Sequence, residues 1–387
     1  MKNKKIVYLT RYNFYTEFGG DTVQVLKTKE VLEKKYNLEI SIICDNGNLL
    51  DNIEYDILHV WGINASPVLN EIIKDTKRKN KKVVISSIYW SSSHPLYFKH
   101  VIFPFFKGNL FAILKYFVNL FVHCILIPFS YLHPKYKKKS CHVFGCKKFK
   151  IFRKTSIEYA DMIIPNSDEE GMLLCKDIDL DYNSVKHKFV SVPNAVDVEK
   201  LNIKCEKKIL PDLSGFVIEA AGIEPLKNQV AVVKSLFTNP EIPIVFAGAV
   251  RDEKYFSYLK KLADKRGNVF FTGKIEENQL FDLYKRAKVH VLPSLRESPG
   301  LVTIEALMNG CQVVVSEEKF CPLKYYKFDK YGFICDPYDT KSIKDAILNA
   351  YNNPKDITLP KEYYEFFSYN NVADMTYLAY KKLFEKE

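Results

Sequence analysis

Short apolar runs rich in β-branched residues recur from end to end of the chain, separated by helix-length mixtures of polar and apolar residues. They fall at residues 5–10, 38–44, 55–60, 83–88, 161–165 and 188–192, then at 215–220, 243–247, 268–272, 288–292, 312–316 and 332–335. Such near-continuous apolar runs belong to strands buried on both sides, the environment of a parallel sheet covered by helices. Two series of about six strands predict two doubly wound α/β domains. The length of 387 residues agrees, since domains usually run to ~100–200 residues.

The alternation lapses at residues 198–213, VEKLNIKCEKKILPDL, where charge and a proline intervene before Gly215 restarts it. This places the domains at 1–205 and 206–370. Beyond them, Val372, Met375, Tyr380 and Leu383 stand at helical spacings, predicting a helix over 371–387 that packs back toward the first domain. Doubly wound sheets bind ligands at the carboxyl ends of their strands, so a small-molecule site is expected in a cleft between the domains.

The net charge of +11 is unevenly spread. Residues 76–157 contain 17 Lys and Arg and no acid, while the remainder holds 40 basic against 46 acidic groups. Within that stretch, residues 101–132 are apolar and aromatic, with Lys107 and Lys115 their only charges. The run 116–134 approaches membrane-spanning length, but flanking strands of one sheet must stay in one compartment, and Pro128 and Pro134 interrupt it. Nine basic residues follow in 135–154, among them Lys135, Lys137, Lys138, Lys139, Lys147 and Lys148. An apolar segment beside a cationic one suits an anionic bilayer surface, so 101–154 reads as a membrane-facing insert that also favours a lipid-linked acceptor. Buried helices with solvated lysines are the alternative. Nucleic acid ranks last, for want of a base-reading motif.

Nine cysteines without framework spacing read as free thiols of a reducing cytoplasm. Cys141 and Cys146 with His142 lack a second ligand pair for a metal. The N-terminal MKNKKIVYLT does not have the apolar length of a signal peptide.

The most specific stretch is KVHVLPSLRESPGLVTIEALMNGCQVVVSE at 288–317. A strand ends near Pro293, Glu297 follows in a loop, and Gly300 opens a helix carrying Glu305. Gly300 permits close backbone approach, and the free N–H groups of Leu301 and Val302 then suit an anion. Glu297 and Glu305 supply charged acceptors for sugar hydroxyls. Singly, such glutamates are commonplace, and an exposed helix position is the plain reading of Glu305.

The whole string resembles the Glu-x7-Glu motif of the retaining glycosyltransferases of family 4, the group 1 glycosyl transferases, which have the GT-B fold. That resemblance implies two Rossmann-like domains facing across a cleft, the first binding acceptor and the second nucleotide sugar. It implies that Glu297 contacts donor-sugar hydroxyls and that Glu305 holds the ribose, with backbone from Gly300 to Val302 near the sugar and phosphates. Further stretches resemble the family in the same order. Gly19-Gly20 matches the loop that meets the donor diphosphate. Tyr55–Val60 matches its D-I-V-H strand and Pro193–Asp197 its P-N-G-V-D turn. Phe270–Lys274 matches the step that pairs with the base, which puts Lys274 and Ile275 there.

Residues 221–229, AGIEPLKNQ, resemble G-R-I-E-P-x-K-N-Q, whose Arg and Lys neutralise the leaving diphosphate in the family. Lys227 is in place, but Gly222 stands where the arginine is expected. A missing guanidinium removes electrostatic stabilisation of the leaving group, and Arg11, Arg251 and Arg296 are the candidates to replace it. The family's histidine near Tyr89 is also absent, with His94 nearby.

The resemblance therefore implies a metal-independent, retaining transferase with Glu297 and Lys227 as its catalytic residues. No metal and no cofactor is expected beyond the nucleotide-diphosphate sugar itself. The acceptor is expected to be a glycan or lipid-linked glycan of surface polysaccharide, and the protein to be cytoplasmic, on the inner membrane face. The rivals are a nucleotide-sugar epimerase and a non-catalytic nucleotide-sugar-binding or scaffold subunit. A dehydrogenase is disfavoured because no G-x-G-x-x-G follows residues 5–10.

Overall fold

The computed structural model describes residues 4–17, 19–47, 50, 53–64, 66, 68–91 and 147–385, without the side chains of 147–149. Its contacts divide the chain into two units, Met1–Pro193 with Tyr369–Glu387, and Asn194–Ser368.

The first unit holds a parallel sheet of β1 (Lys5–Thr10), β2 (Glu39–Cys44), β3 (Ile57–Trp61), β4 (Lys82–Ser86) and β5 (Met162–Ile164) in the order β2-β1-β3-β4-β5. Its longer helices are α1 (Gly20–Tyr36), α2 (Leu69–Arg78), α3 (Lys147–Tyr159) and α4 (Asp168–Asp177). Alternate residues of each strand feed opposite faces. Val7, Leu9, Leu58, Val60, Val83 and Ile85 share one cluster with Ile72 and Ile157 of the helices. The expected strand at 188–192 reduces to one bridge, Ile163 to Phe189, with Val190 and Val192 donating to the carbonyls of Ile163 and Pro165.

The second unit is a six-stranded parallel sheet of β6 (Val217–Ala220), β7 (Ile244–Ala247), β8 (Val269–Gly273), β9 (Val289–Leu292), β10 (Gln312–Ser316) and β11 (Phe333–Cys335), ordered β11-β10-β9-β6-β7-β8. The longer helices here are α5 (Gln229–Ser235), α6 (Glu253–Arg266), α7 (Glu277–Arg286), α8 (Leu301–Met308) and α9 (Thr340–Asn352). Ile218, Val245, Val313 and Val315 enter one core cluster, and Val217, Ile244, Phe246 and Val314 the other, so the sheet is covered on both faces.

The division falls at 193/194 rather than 205/206, because residues 198–213 pack on the second unit. Leu201 is buried there with Val198, Leu210 and Leu213 against it. The Arg286 guanidinium donates to the carbonyls of Ile209, Leu210 and Leu213 at 2.6–2.7 Å. The charged stretch is a strap fixed by α7, not a free linker.

The last helix, α10 (Tyr369–Lys382), belongs to the first unit. Tyr36 and Tyr377 stack 3.7 Å apart, and Asp374 accepts from Lys35 at 2.5 Å and from Tyr36 at 2.6 Å. Deeper, the Tyr380 hydroxyl meets His59 Nδ1 at 2.6 Å and Tyr8 at 3.2 Å, while His59 Nε2 meets Ser86 at 2.9 Å. Burial pushes the His59 imidazole down to about 3, so it is neutral. The family-like strand around His59 thus anchors α10.

No helix among the described residues is long and apolar enough to cross a membrane. The apolar run 101–132, Lys135, Lys137, Lys138, Lys139, His94 and Phe18 lie outside the described residues.

Candidate functional site

Each sheet changes winding direction once. In the second unit, β6 lies between β7 and β9, so chain order runs outward on one side through β7 and β8 and on the other through β9, β10 and β11. Loops leaving β6 and β9 therefore diverge from the switch point, where open α/β sheets bind ligands. These two loops carry Lys227 and Glu297.

They are also stitched together. Asn228 adopts φ +69° and donates to the carbonyls of Pro293 at 3.1 Å and Pro337 at 2.8 Å. The Leu295 amide donates to the Leu226 carbonyl at 3.0 Å. Across this frame the Lys227 ammonium pairs with the Glu297 carboxylate, both largely shielded from solvent.

Gly300 is demanded twice over. Its φ is +81°, which L side chains rarely adopt, and a Cβ there would lie 2.9 Å from Leu292 Cδ2 and 3.4 Å from Glu297 Oε2. The Glu297 carboxylate thus rests against the start of α8. Leu301 and Val302 open that helix and are half-buried, sharing with Ile275 of the β8–α7 loop a place against one core cluster. The Thr303 amide donates to the Gly300 carbonyl at 2.9 Å, while the Leu301 and Val302 amides, at the first two helical positions, have no intrahelical acceptor, which suits an anion.

Glu305 lies one turn along α8. Burial, and secondarily the Glu277 carboxylate, push its carboxyl up to about 8. Glu277 is itself paired with Lys200. A desolvated carboxyl of this kind gains most from a ligand donating hydroxyls. Lys274, in the same loop as Ile275, is exposed.

A third carboxyl escapes sequence reasoning. Glu219 lies within β6, 1% exposed, and neither carboxyl oxygen has a hydrogen-bond partner. Desolvation holds it well above the usual carboxylate range; the Lys227 charge opposes this and Glu297 adds to it. Glu219 is thus a buried acid within electrostatic reach of the Lys227–Glu297 pair, in surroundings that favour its protonated form. Its signal in the sequence is an acid inside the apolar run FVIEAA.

The backbone at Gly222 lies beside the β7 loop. Ile223 bridges Val250, and the Arg251 and Asp252 amides donate to the Ile223 carbonyl at 3.1 and 3.2 Å. A Cβ at position 222 would fall 2.6 Å from Arg251 Nε and 2.8 Å from its Cδ.

Gly19 and Gly20 occupy the equivalent place in the first unit, at the head of α1 beyond β1, where β1 and β3 flank the change of direction. Arg11 in that loop is spent locally. It bonds Asp21 at 2.8 and 3.2 Å, Asn13 at 2.9 and 3.0 Å, and the Glu17 carbonyl at 2.5 Å. Tyr89 is buried and donates to Asp177 at 2.7 Å, with the Arg153 guanidinium 5.1 Å from its ring. That is a structural position. Lys147 and Lys148 begin α3, with their side chains outside what is described. Among the described residues no group of three His, Cys, Asp or Glu could hold a metal ion.

The second unit thus gathers Lys227, Glu297, Gly300, Leu301, Val302 and Glu305 on two stitched loops and one helix, with Ile275 against the same cluster. Residues 201–369 match the family described as glycosyl transferases group 1. Over part of its length the chain is similar to an uncharacterized glycosyltransferase of Methanocaldococcus jannaschii, 32% identical over 37% of each chain. It is 29% identical to the serotype-specific mannosyltransferase WbdA of Escherichia coli, over 39% of this chain and 19% of that one. It is 24% identical to the O-antigen chain mannosyltransferase RfbU of Salmonella typhimurium, over 50% of this chain and 53% of that one. The matches span about a fifth to a half of these relatives' lengths. Among solved structures, sucrose-phosphate synthase from Thermosynechococcus elongatus superposes with a TM-score of 0.70 at 14% identity, covering 99% of this chain and 100% of that one. The two parallel-sheet α/β units are those of the GT-B fold.

Proposed function

We propose that the protein is a glycosyltransferase that moves a sugar from a nucleoside-diphosphate donor to a glycan or lipid-linked acceptor of a surface polysaccharide. The observation that carries this reading is the Lys227–Glu297 pair at the switch point of a group 1 unit, with Gly300 pressed against Glu297 and Glu305 one turn beyond. In this reading Glu297 orients donor-sugar hydroxyls, Glu305 takes the ribose diol, and Ile275 with Lys274 borders the base. Lys227 leaves Glu297 for the diphosphate. The dianionic diphosphate of the donor attracts the ammonium more strongly than one carboxylate does, and its charge grows as the bond to the sugar breaks.

Transfer proceeds with retention and without a metal. The leaving phosphate accepts the acceptor's proton on the face it vacates, while Lys227 and the first-turn amides of α8 stabilise the growing negative charge. Mannose is the first donor sugar to test, since two of the relatives are mannosyltransferases. The basic stretch 76–157 favours a lipid-linked acceptor on an anionic membrane at the cytoplasmic face.

The test is sugar transfer by the purified chain to acceptor held in anionic vesicles. Wild type should transfer, and Glu297→Gln should fold normally but lose ~100-fold or more, as when one stabilising contact at a reacting centre is removed. Equal rates in the two proteins would sink the site assignment. Equal rates with soluble acceptor and at high salt would sink the membrane component alone.

A further inference from the structure

We propose that Arg251 supplies the guanidinium that position 222 lacks, so that Arg251 and Lys227 together hold the diphosphate of the donor. The inference rests on the reading of the second unit as a nucleoside-diphosphate-sugar site.

Its ground is steric. Position 222 is a glycine, and the volume its side chain would fill is taken by the Arg251 stem, with Nε 2.6 Å, Cδ 2.8 Å and Cγ 3.3 Å from a Cβ built there. An arginine at 222 and the present Arg251 conformation exclude each other. A guanidinium therefore emerges at this point from the neighbouring loop rather than from position 222 itself.

The placement is not that of a loose surface side chain. The Arg251 and Asp252 amides both donate to the Ile223 carbonyl, the Ile223 amide donates to the Ala249 carbonyl at 2.9 Å, and the Asp252 carboxylate caps α6 at the Tyr255 amide at 3.0 Å. The Arg251 backbone is thus locked to the residue after Gly222. Its side chain is about half exposed, and its ion pair with Glu224 is long at 3.8 Å. The same Glu224 accepts the Lys227 amide on its carbonyl at 3.1 Å, tying the arginine to the turn that presents Lys227. Arg11 is committed within its own loop, and Arg251 is the arginine whose side chain stands at position 222. A guanidinium in this position offers a fork of donors to phosphate oxygens, which an ammonium does not.

The test is calorimetric titration of UDP and GDP, and of the matching nucleosides, into wild type, Arg251→Ala, Lys227→Ala and the double variant Gly222→Arg/Arg251→Ala. Loss of a charge-assisted phosphate contact should weaken the preferred diphosphate about 10- to 100-fold in Arg251→Ala and leave nucleoside affinity unchanged. The double variant relocates the guanidinium and should recover most of that loss, which mere space-filling by Arg251 does not predict. Unchanged diphosphate affinity in Arg251→Ala, with Lys227→Ala weakened, overturns the role of Arg251 and leaves the donor site standing. Failure of wild type to bind either diphosphate overturns both. Arg251→Lys, which keeps stem and charge, guards against a folding artefact and should fall between wild type and alanine.

Discussion

Two carboxyls of the second unit interact with the Lys227 ammonium, and they differ in environment. Glu297 is ion-paired with Lys227, whereas Glu219 is buried without a hydrogen-bond partner, which favours its protonated form. Because folding raises the Glu219 pKa above its ordinary 4.5, the native state keeps a proton that the unfolded chain releases. Stability from this group is present below about pH 4.5 and declines as pH rises toward the folded value. Thermal unfolding from pH 5 to pH 9 should therefore show Glu219→Gln matching wild type at pH 5 and surpassing it at pH 9, with Glu305 maintaining part of the slope in both. Parallel profiles would mean that Glu219 is charged in the fold. Lys227, Glu297, Gly300 and Glu305 were legible in the sequence because each lies in a contiguous string whose residue types and order carry meaning. Glu219 was not, since one acid in a strand says nothing of depth until both sheet faces are covered. Arg251 is one of three candidate arginines in the sequence, and its position against Gly222 depends on two loops that no local pattern brings together.

At the scale of elements, α10 is tied to the first unit through Tyr380, whose hydroxyl serves both His59 and Tyr8. Tyr380→Phe keeps the ring and leaves both partners buried and unmatched, which costs ~1–3 kcal/mol. A melting temperature lowered by several degrees, with the second unit's nucleotide affinity intact, is the expected result. An unchanged melting temperature would show the network to be dispensable. The strand pattern itself was readable to within a few residues for eleven of the twelve runs, because strands buried on both faces leave a periodic apolar trace. The run at 188–192 is apolar like the others but meets β5 only at the Ile163–Phe189 bridge, a difference in pairing that composition does not carry. Residues 198–213 misled because charge and proline look alike in a free linker and in a strap whose carbonyls are held by Arg286. Those carbonyl contacts join residues more than seventy positions apart, which no local pattern encodes.

At the scale of the whole molecule, the basic stretch and the family match fall in different units. The basic stretch 76–157 is set in the first unit's part of the chain, and the group 1 signature lies over residues 201–369. The central claim is that the second of these units binds a nucleoside diphosphate through its switch-point loops. Calorimetric titration of UDP, GDP, ADP and NAD into the full chain and into Glu305→Ala tests it most directly. Selective binding of one nucleoside diphosphate is expected, weakened about 10-fold or more in Glu305→Ala. Tight binding of NAD, or equal diphosphate affinity in the two proteins, would contradict it.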